Sequence, residues 1–248
     1  MGYVFDFQDA KRFEQWMDQR QNRSVAEKEF RLMIDLLNPL PGKTILDIGC
    51  GIGSNFFPLL SEGLQVTGLD ASPYMIDIAV KKTGGRVDVH RGYAEELPFD
   101  DNTFNYACMT TTLEFVEDPK KALEEACRVT RDRIYIGILN RYAINSVQLR
   151  VKGIFTRSLY NRARFFSLWE VKRILRSILG DVPISWRTLC QMPECFGETG
   201  DKIGRSNVVR RCPFGAIVGI VASLVPRYKT TPLPLQISPK RRTGEASG

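Results

Sequence analysis

The sequence has one histidine and no uninterrupted apolar run long enough to cross a bilayer. The first twenty residues alternate charged and aromatic side chains, so we expect neither a signal peptide nor a membrane helix, and a cytoplasmic location. The cysteines form no C-x-x-C pair and fit no zinc spacing, which predicts buried reduced thiols and no metal site. They lie at positions 50, 108, 127, 190, 195 and 212.

The length and the apolar content indicate one medium-sized domain. With 43% apolar residues, a chain of 248 residues can bury a core without disulfides or metals. We expect a helical cap over residues 1–41, a main domain over 42–229 with a basic helical lid inserted at about 141–166, and a tail over 230–248. The tail is rich in Pro, Lys and Arg and poor in apolar residues, so the sequence predicts that it is disordered.

Charge is unevenly distributed along the chain. Residues 1–140 contain 16 Lys and Arg against 22 Asp and Glu, whereas residues 141–248 contain 19 against 6. A basic second half is typical of a surface that faces an anionic small molecule, nucleic acid or an acidic membrane, and equally of a merely solvated surface. Nothing in the second half matches a recognised nucleic-acid module. The favoured interpretation is therefore a basic surface that covers an anionic small substrate.

The run Thr44 to Ser54 predicts a strand followed by a loop that holds a nucleotide. Glycines at every second position, 49, 51 and 53, allow positive φ angles and let a ligand approach the backbone. Asp47 precedes them. A carboxylate beside this loop would repel a pyrophosphate, so we expect the ligand to carry a positive charge.

A second acid follows at the distance that a ribose-binding residue requires. Residues 64–69 predict the next strand, and Asp70 ends it about twenty residues after the glycine loop. One carboxylate there can accept hydrogen bonds from both ribose hydroxyls. Ser72 and Pro73 then give the N-cap and first-turn proline of a helix.

Four ordered blocks resemble the class I S-adenosylmethionine-dependent methyltransferases, specifically the quinone-biosynthesis C-methyltransferases (the methyltransferase type 11 group). The blocks are LDIGCGIG at 46–53, GLDASPYM at 68–75, GYAEELPF at 92–99 and LEFVEDP at 113–119, and the likeness covers about residues 43–139. The resemblance implies S-adenosylmethionine as cofactor and an α/β fold. This fold is a doubly wound, Rossmann-like, mostly parallel sheet of seven strands with the last one antiparallel.

The resemblance also implies a set of cofactor-binding residues. One position departs from the family pattern, because Tyr93 stands where an acid usually accepts a hydrogen bond from the adenine amino group, and Glu95 is a candidate to compensate. The predicted cofactor-binding residues are Asp47, Gly49, Cys50, Gly51, Gly53, Asp70, Ala71, Met75, Tyr93, Ala94, Glu95 and Thr110.

Candidates for the chemistry follow the fourth and fifth predicted strands. Glu114 stands where many relatives carry a histidine, and it is either a base or substrate ligand, or a local structural acid. Asn140, Arg141 and Tyr142 end the fifth strand and are candidate substrate contacts. His90 falls within the predicted third strand, 86–91, and residues 215–222 predict the last strand. Capping boxes at Ser24 and Ser167 predict two helix starts.

These observations predict a methyltransferase acting on a small acceptor, aromatic or anionic. Two alternatives remain open. An RNA or protein methyltransferase would use the basic second half to bind a macromolecule. A non-catalytic module would keep the cofactor residues without an acceptor site. Nucleic acid is a less favoured partner, and peripheral membrane contact is left open.

Overall fold

The computed structural model describes residues 2–143, 163–189 and 212–224, which form one seven-stranded sheet with helices on both faces. The strands are β1 (Thr44–Ile48), β2 (Gln65–Asp70), β3 (Asp88–Arg91), β4 (Phe104–Thr110), β5 (Thr130–Leu139), β6 (Ile184–Leu189) and β7 (Ile217–Ser223). The helices are α1 (Phe7–Met17), α2 (Arg20–Leu37), α3 (Phe56–Ser61), α4 (Pro73–Thr83), α5 (Pro119–Val129) and α6 (Leu168–Leu179).

The strand order is β3-β2-β1-β4-β5-β7-β6, which confirms the predicted doubly wound sheet. The first five strands are parallel, and β7 pairs antiparallel with both β5 and β6. The order reverses between β1 and β4, so the chain leaves these two strands toward opposite sides. A crevice opens at their carboxyl ends, where such sheets bind ligands.

Most helix starts follow the sequence signals. Ser72 and Asp118 cap α4 and α5, each followed by proline, and Ser167 forms a complete capping box with Glu170 at the start of α6. The capping box predicted at Ser24 is wrong. Helix α2 begins five residues earlier, after Gln19, because Arg20, Gln21 and Arg23 are good helix formers and continue the same helix.

Two strands differ in their limits from the prediction. β3 begins at Asp88 and not at residue 86, because Gly84 and Gly85 both have positive φ and extend the turn after α4. His90 lies in β3 as predicted. β7 begins at Ile217 and not at residue 215, and it ends at Ser223 and not at residue 222. The predicted lid lies mostly, and the predicted tail wholly, outside the described residues, so both stay predictions.

Helix α2 approaches the sheet closely over β5 and β7. The paired Gly137 and Gly219 face it, and a Cβ at Gly219 would stand 3.0 Å from side-chain atoms of Leu32, Leu36 and Tyr135. The absence of a side chain at Gly219 therefore sets how near α2 lies. This approach places the N-terminal half of α2 beside the carboxyl ends of the strands.

We expect Gly219→Ala to lower the free energy of unfolding by about 1–3 kcal/mol, because the added methyl group overpacks the interface between α2 and β7. Urea denaturation would measure this change. Ser185→Ala, at an exposed position on β6, is the control and should stay within about 0.5 kcal/mol of the wild type. Equal stabilities for the two variants would contradict the close packing described above.

Candidate active site

The glycine loop after β1 is held by the end of β2. Gly49, Gly51 and Gly53 all have positive φ, at 72°, 53° and 71°. The backbone N–H groups of Gly49 and Cys50 both donate to the carbonyl oxygen of Leu69, at 2.7 and 3.0 Å. A Cβ at Gly51 would meet no atom within 4 Å, so this part of the backbone is open to a ligand.

Asp70 connects the glycine loop with the start of α4. One carboxylate oxygen accepts the N–H of Gly51 and the other accepts the N–H of Ser72, both at 2.8 Å. Burial raises the pKa of Asp70, and the backbone donors oppose this rise. The carboxylate is thus fixed at the rim of the crevice, where its remaining lone pairs can accept hydrogen bonds from a ligand.

Asp47 lies beneath the loop and not in the cavity wall. Its side chain is 1% exposed, and it accepts hydrogen bonds from the thiol of Cys108 at 3.4 Å and from the amide of Asn55 at 3.5 Å. Burial raises its pKa to about 6. Asp47 could therefore influence a ligand only through its negative potential and through Asn55, which does line the cavity.

A cavity of about 260 Å³ extends from the glycine loop to α2. Of the residues predicted to bind the cofactor, ten line it: Gly49, Cys50, Gly51, Asp70, Ala71, Met75, Tyr93, Ala94, Glu95 and Thr110. Asp47 and Gly53 do not. Gly53 is needed for packing, because a Cβ there would stand 2.6 Å from the ring of Phe56. The individual binding roles stay predictions.

Tyr93 and Glu95 lie at the side of the cavity expected for adenine. Tyr93 is 45% exposed, so its ring is free to cover a ligand. A carboxylate oxygen of Glu95 accepts the N–H of Glu117 at 2.8 Å, which ties it to the loop before α5. Glu95 therefore also has a structural role. Its other carboxylate oxygen takes no part in the bond to Glu117 and can bind a ligand.

The N-terminal segment (residues 2–6) covers the cavity. The N–H of Tyr3 donates to the carbonyl of Phe115 at 2.8 Å, and the hydroxyl of Ser72 donates to the carbonyl of Phe5 at 2.7 Å. These bonds fix the segment to both sides of the crevice. With Phe13 and Trp16 of α1, it forms an aromatic wall; the Phe7 side chain points to solvent and is not part of it.

The structure places the residues predicted for catalysis and substrate binding outside this cavity. Glu114 is 1% exposed, and one of its oxygens accepts the N–H of Leu139 at 2.7 Å. The amide of Asn140 donates to the carbonyl oxygens of Pro213 and Gly215. The first contact ties the loop after β4 to the end of β5, and the second ties the end of β5 to the residues before β7, so the geometry favours a structural role for both side chains.

Arg141 and Tyr142 make contacts with the region before and within α6. Arg141 pairs with Glu170 at 2.9 Å and donates to the carbonyl of Phe165, and the Tyr142 ring meets Trp169 edge-on. No atom of either residue lines the cavity as far as the described residues define it. Their predicted role as substrate contacts is therefore not supported by this geometry, although it stays untested.

Sequence reasoning missed Glu29, which lines the cavity from α2. Its carboxylate oxygen Oε1 is buried and has no hydrogen-bond partner, and burial raises its pKa to about 7. The helical pattern of Phe30, Met33 and Leu37 marked the buried face of α2. Glu29 lies on this face because it is four residues from Met33. An acid on the apolar face of a helix was the sequence signal that could have identified it as a candidate site residue.

The residues present fit S-adenosylmethionine. The open glycine backbone, an acid at the end of β2 for a ribose diol, and an excess of carboxylates suit a nucleoside that carries a positive charge. When bound, this group supplies an electrophilic methyl carbon on a sulfonium. Among residues 2–143, 163–189 and 212–224, no group of His, Cys, Asp and Glu could hold a metal ion.

Comparisons with known proteins agree with this site. Residues 46–136 match the model of the methyltransferase domain family. The chain is 33% identical over 177 residues to an uncharacterized protein of Methanocaldococcus jannaschii, which covers 71% of this chain and 80% of that protein. It is 38% identical over 101 residues to the demethylmenaquinone methyltransferase of Renibacterium salmoninarum, which covers 41% of this chain and 42% of that protein.

Solved structures show the same fold. A S-adenosylmethionine-dependent methyltransferase of Thermotoga maritima, described as a possible histamine N-methyltransferase, superposes with a TM-score of 0.63 at 24% identity, covering 88% of this chain and 97% of that one. The magnesium protoporphyrin IX methyltransferase of Synechocystis, with bound S-adenosylhomocysteine, gives 0.57 at 16% identity and 90% coverage of both chains.

The chain belongs to the class I S-adenosylmethionine-dependent methyltransferase family, and S-adenosylmethionine is the cofactor of this family. The matched segment spans less than half of the demethylmenaquinone methyltransferase and most of the M. jannaschii protein. None of the described helices is both long enough and apolar enough to cross a membrane.

We expect Asp70→Ala to weaken the binding of S-adenosylmethionine and S-adenosylhomocysteine by about 1.5–3 kcal/mol, the range for hydrogen bonds to a charged group. The variant loses the ribose acceptor and also the bonds that position Gly51 and Ser72. Calorimetric titration measures the change. Asp77→Ala, exposed on the same α4, is the control and should bind normally. An unchanged dissociation constant for Asp70→Ala would remove Asp70 from the site.

Glu114 gives a pH-dependent prediction. Burial raises its pKa from 4.5 to about 8, so the folded protein holds a proton there that the unfolded chain has already lost at neutral pH. The free energy of unfolding should therefore fall as the pH rises from about 5 to 8. Glu114→Gln cannot ionise, so it should make this slope shallower by about 1.4 kcal/mol per pH unit.

Urea denaturation at pH 5, 6, 7 and 8 measures this slope. Glu62→Gln, at an exposed position after α3, is the control and should follow the wild type. If Glu114→Gln and the wild type gave parallel stability curves, Glu114 would not hold the extra proton.

Proposed function

We propose that this protein transfers the methyl group of S-adenosylmethionine to a small, apolar acceptor that carries an aromatic or similarly flat ring. The observation that supports this proposal most strongly is the cavity itself. It joins the glycine loop, where the cofactor is expected, to a compartment lined by aromatic and aliphatic side chains. These side chains include Phe5, Phe13, Trp16, Val25, Phe30, Met33, Phe115, Leu139 and Ile217.

The cover over the cavity supports a small acceptor over a macromolecular one. Residues 2–6 are bound to Phe115 on one side and to Ser72 on the other, so the described part of the cavity is roofed and not an open groove. Exclusion of water is the main demand of methyl transfer, because the reacting positive charge disappears and the nucleophile must be desolvated. A roofed cavity supplies this condition.

The charges of the cavity favour a neutral or amine-bearing acceptor over an anionic one. The charged residues among its described lining are all acids, namely Glu29, Asp70 and Glu95, and none is Lys, Arg or His. An anion would be repelled there. The basic residues counted in the second half of the sequence do not reach this lining in the described ranges, so they give an anionic acceptor no support.

The relatives agree with an apolar ring as acceptor without identifying it. By their names, several act on demethylmenaquinone, a quinone, and one solved neighbour acts on magnesium protoporphyrin IX. Because the match spans less than half of the demethylmenaquinone enzymes, this class of acceptor is part of our proposal. The cytoplasmic location stays a prediction from the sequence.

Calorimetric titration with S-adenosylmethionine, S-adenosylhomocysteine and NAD, at two salt concentrations, tests the cofactor part. We expect both adenosyl ligands to bind and NAD not to bind. Transfer of a labelled methyl group is then measured with a panel of small aromatic acceptors and with total RNA. Label in a small acceptor supports the proposal, whereas label in RNA with salt-sensitive binding would favour the macromolecular alternative. Absence of adenosyl binding would contradict the function altogether.

A further inference from the structure

Glu29 is a partly buried acid that lines the cavity, and one of its carboxylate oxygens is buried without a partner. It lies on α2 among the apolar lining residues Val25, Ala26, Phe30 and Met33. Its Oε1 atom is inaccessible to solvent and makes no hydrogen bond within the described structure. A buried carboxylate that is left unpaired costs free energy, and Leu or Met would suit the rest of this helix face better.

A second unpartnered group lies close to it. The hydroxyl of Tyr135, on β5, is also buried and makes no hydrogen bond in the described structure. A Cβ at Gly137 would stand 3.2 Å from this hydroxyl and 3.4 Å from Glu29 Oε1, so both atoms border the space that the glycine leaves. Burial raises the pKa of Tyr135 and of Glu114, and the charge of Glu29 adds to both shifts, so the three groups share one environment.

The surroundings provide no counter-ion for Glu29. No Lys, Arg or His contributes to the described lining of the cavity. Burial accordingly raises the pKa of Glu29 to about 7, which lies in the range that suits a proton acceptor at neutral pH. Uncompensated acids with such values inside a cleft occur mainly at functional sites.

We propose that Glu29 binds the methyl acceptor through an N–H or O–H of its reacting group and accepts that proton during methyl transfer. The inference rests on the proposed function and gives it a substrate class: a small aromatic molecule with an ionisable N–H or O–H. The aromatic wall formed with Phe13 and Trp16 holds the ring, and Glu29 binds the polar end.

The proposed step balances in atoms and charge. The N–H or O–H bond of the acceptor breaks, and its proton goes to the Glu29 carboxylate. The acceptor's electron pair forms the new bond to the methyl carbon, while the carbon–sulfur bond breaks and its pair stays on sulfur. The negative carboxylate and the positive sulfonium both become neutral, so an apolar cavity favours the products over the charged reactants.

Binding to the complex with S-adenosylhomocysteine tests the inference without turnover. The probes are 1-naphthol and 1-naphthylmethylamine, with 1-methylnaphthalene and 1-ethylnaphthalene as matched compounds that cannot donate a hydrogen bond. We expect the wild type to prefer at least one donor over its match. Glu29→Gln should reduce this preference by about 10-fold, since a hydrogen bond to a charged group is lost. Glu27→Gln, exposed on the same helix, should retain it.

Labelled methyl transfer to the preferred probe is the second measurement. Glu29→Gln should slow it more than it weakens cofactor binding, which should remain within about twofold of the wild type. If Glu29→Gln does not fold, Glu29→Asp replaces it as the test. The Asp side chain is one methylene shorter, so its carboxylate lies farther from the acceptor, and the variant should show the same reduced preference for the donor probes. The naphthol and amine arms distinguish an O–H from an N–H acceptor.

The possible outcomes test the proposed function and the inference about Glu29 separately. If S-adenosylhomocysteine does not bind the wild type, the proposed function fails. If it binds and no donor probe is preferred over its match, the inference is overturned while the cofactor assignment stands. Equal preference and equal transfer in the wild type and Glu29→Gln would also overturn it.

Discussion

Two backbone N–H groups, those of Gly51 and Ser72, bind the carboxylate of Asp70, and the geometry of the candidate site depends on this arrangement. The glycine loop and the start of α4 come from different turns of the sheet, and one acid holds both at fixed positions. Ser72 in turn binds the N-terminal segment through the carbonyl of Phe5. Asp70, the glycine loop and the N-terminal segment therefore form one connected network.

Buried and partly buried acids dominate this region, and they differ in their hydrogen-bond partners. Asp47 is held by Cys108 and Asn55, Asp70 by backbone donors, and Glu114 by Leu139. Glu29 alone among the acids of the described cavity lining has a buried oxygen without such a donor. Glu114 Oε2 is buried without a partner as well, but Glu114 does not line the cavity. Glu29 is separated from the others because its unpartnered oxygen belongs to a residue that lines the cavity.

Many of the candidate cofactor-binding residues were predictable from the sequence, because the sequence signals for them involve only neighbouring residues. Positive φ at glycines 49, 51 and 53, the cap at Ser72 and the acid that ends β2 each depend on a few neighbouring residues. Ten of the twelve predicted cofactor residues line the cavity for this reason. Gly53 does not line the cavity although its local signal is the same, because positive φ in a loop does not reveal whether a residue faces a ligand or, as here, the ring of Phe56.

The candidate residues for catalysis and acceptor binding were not predictable in the same way. Glu114, Asn140 and Arg141 follow strand ends in the sequence, yet their polar atoms are used by β5, β7 and α6. By itself the sequence indicated the glycine loop and most helix starts, because these follow from local residue patterns. Its four ordered blocks indicated the family and, through that resemblance, the doubly wound sheet. Only the tertiary structure decided that Glu29 lines the cavity. Glu29 reaches the cavity because α2 packs against Gly137 and Gly219, about a hundred or more residues away in the chain, and no local pattern records such a contact.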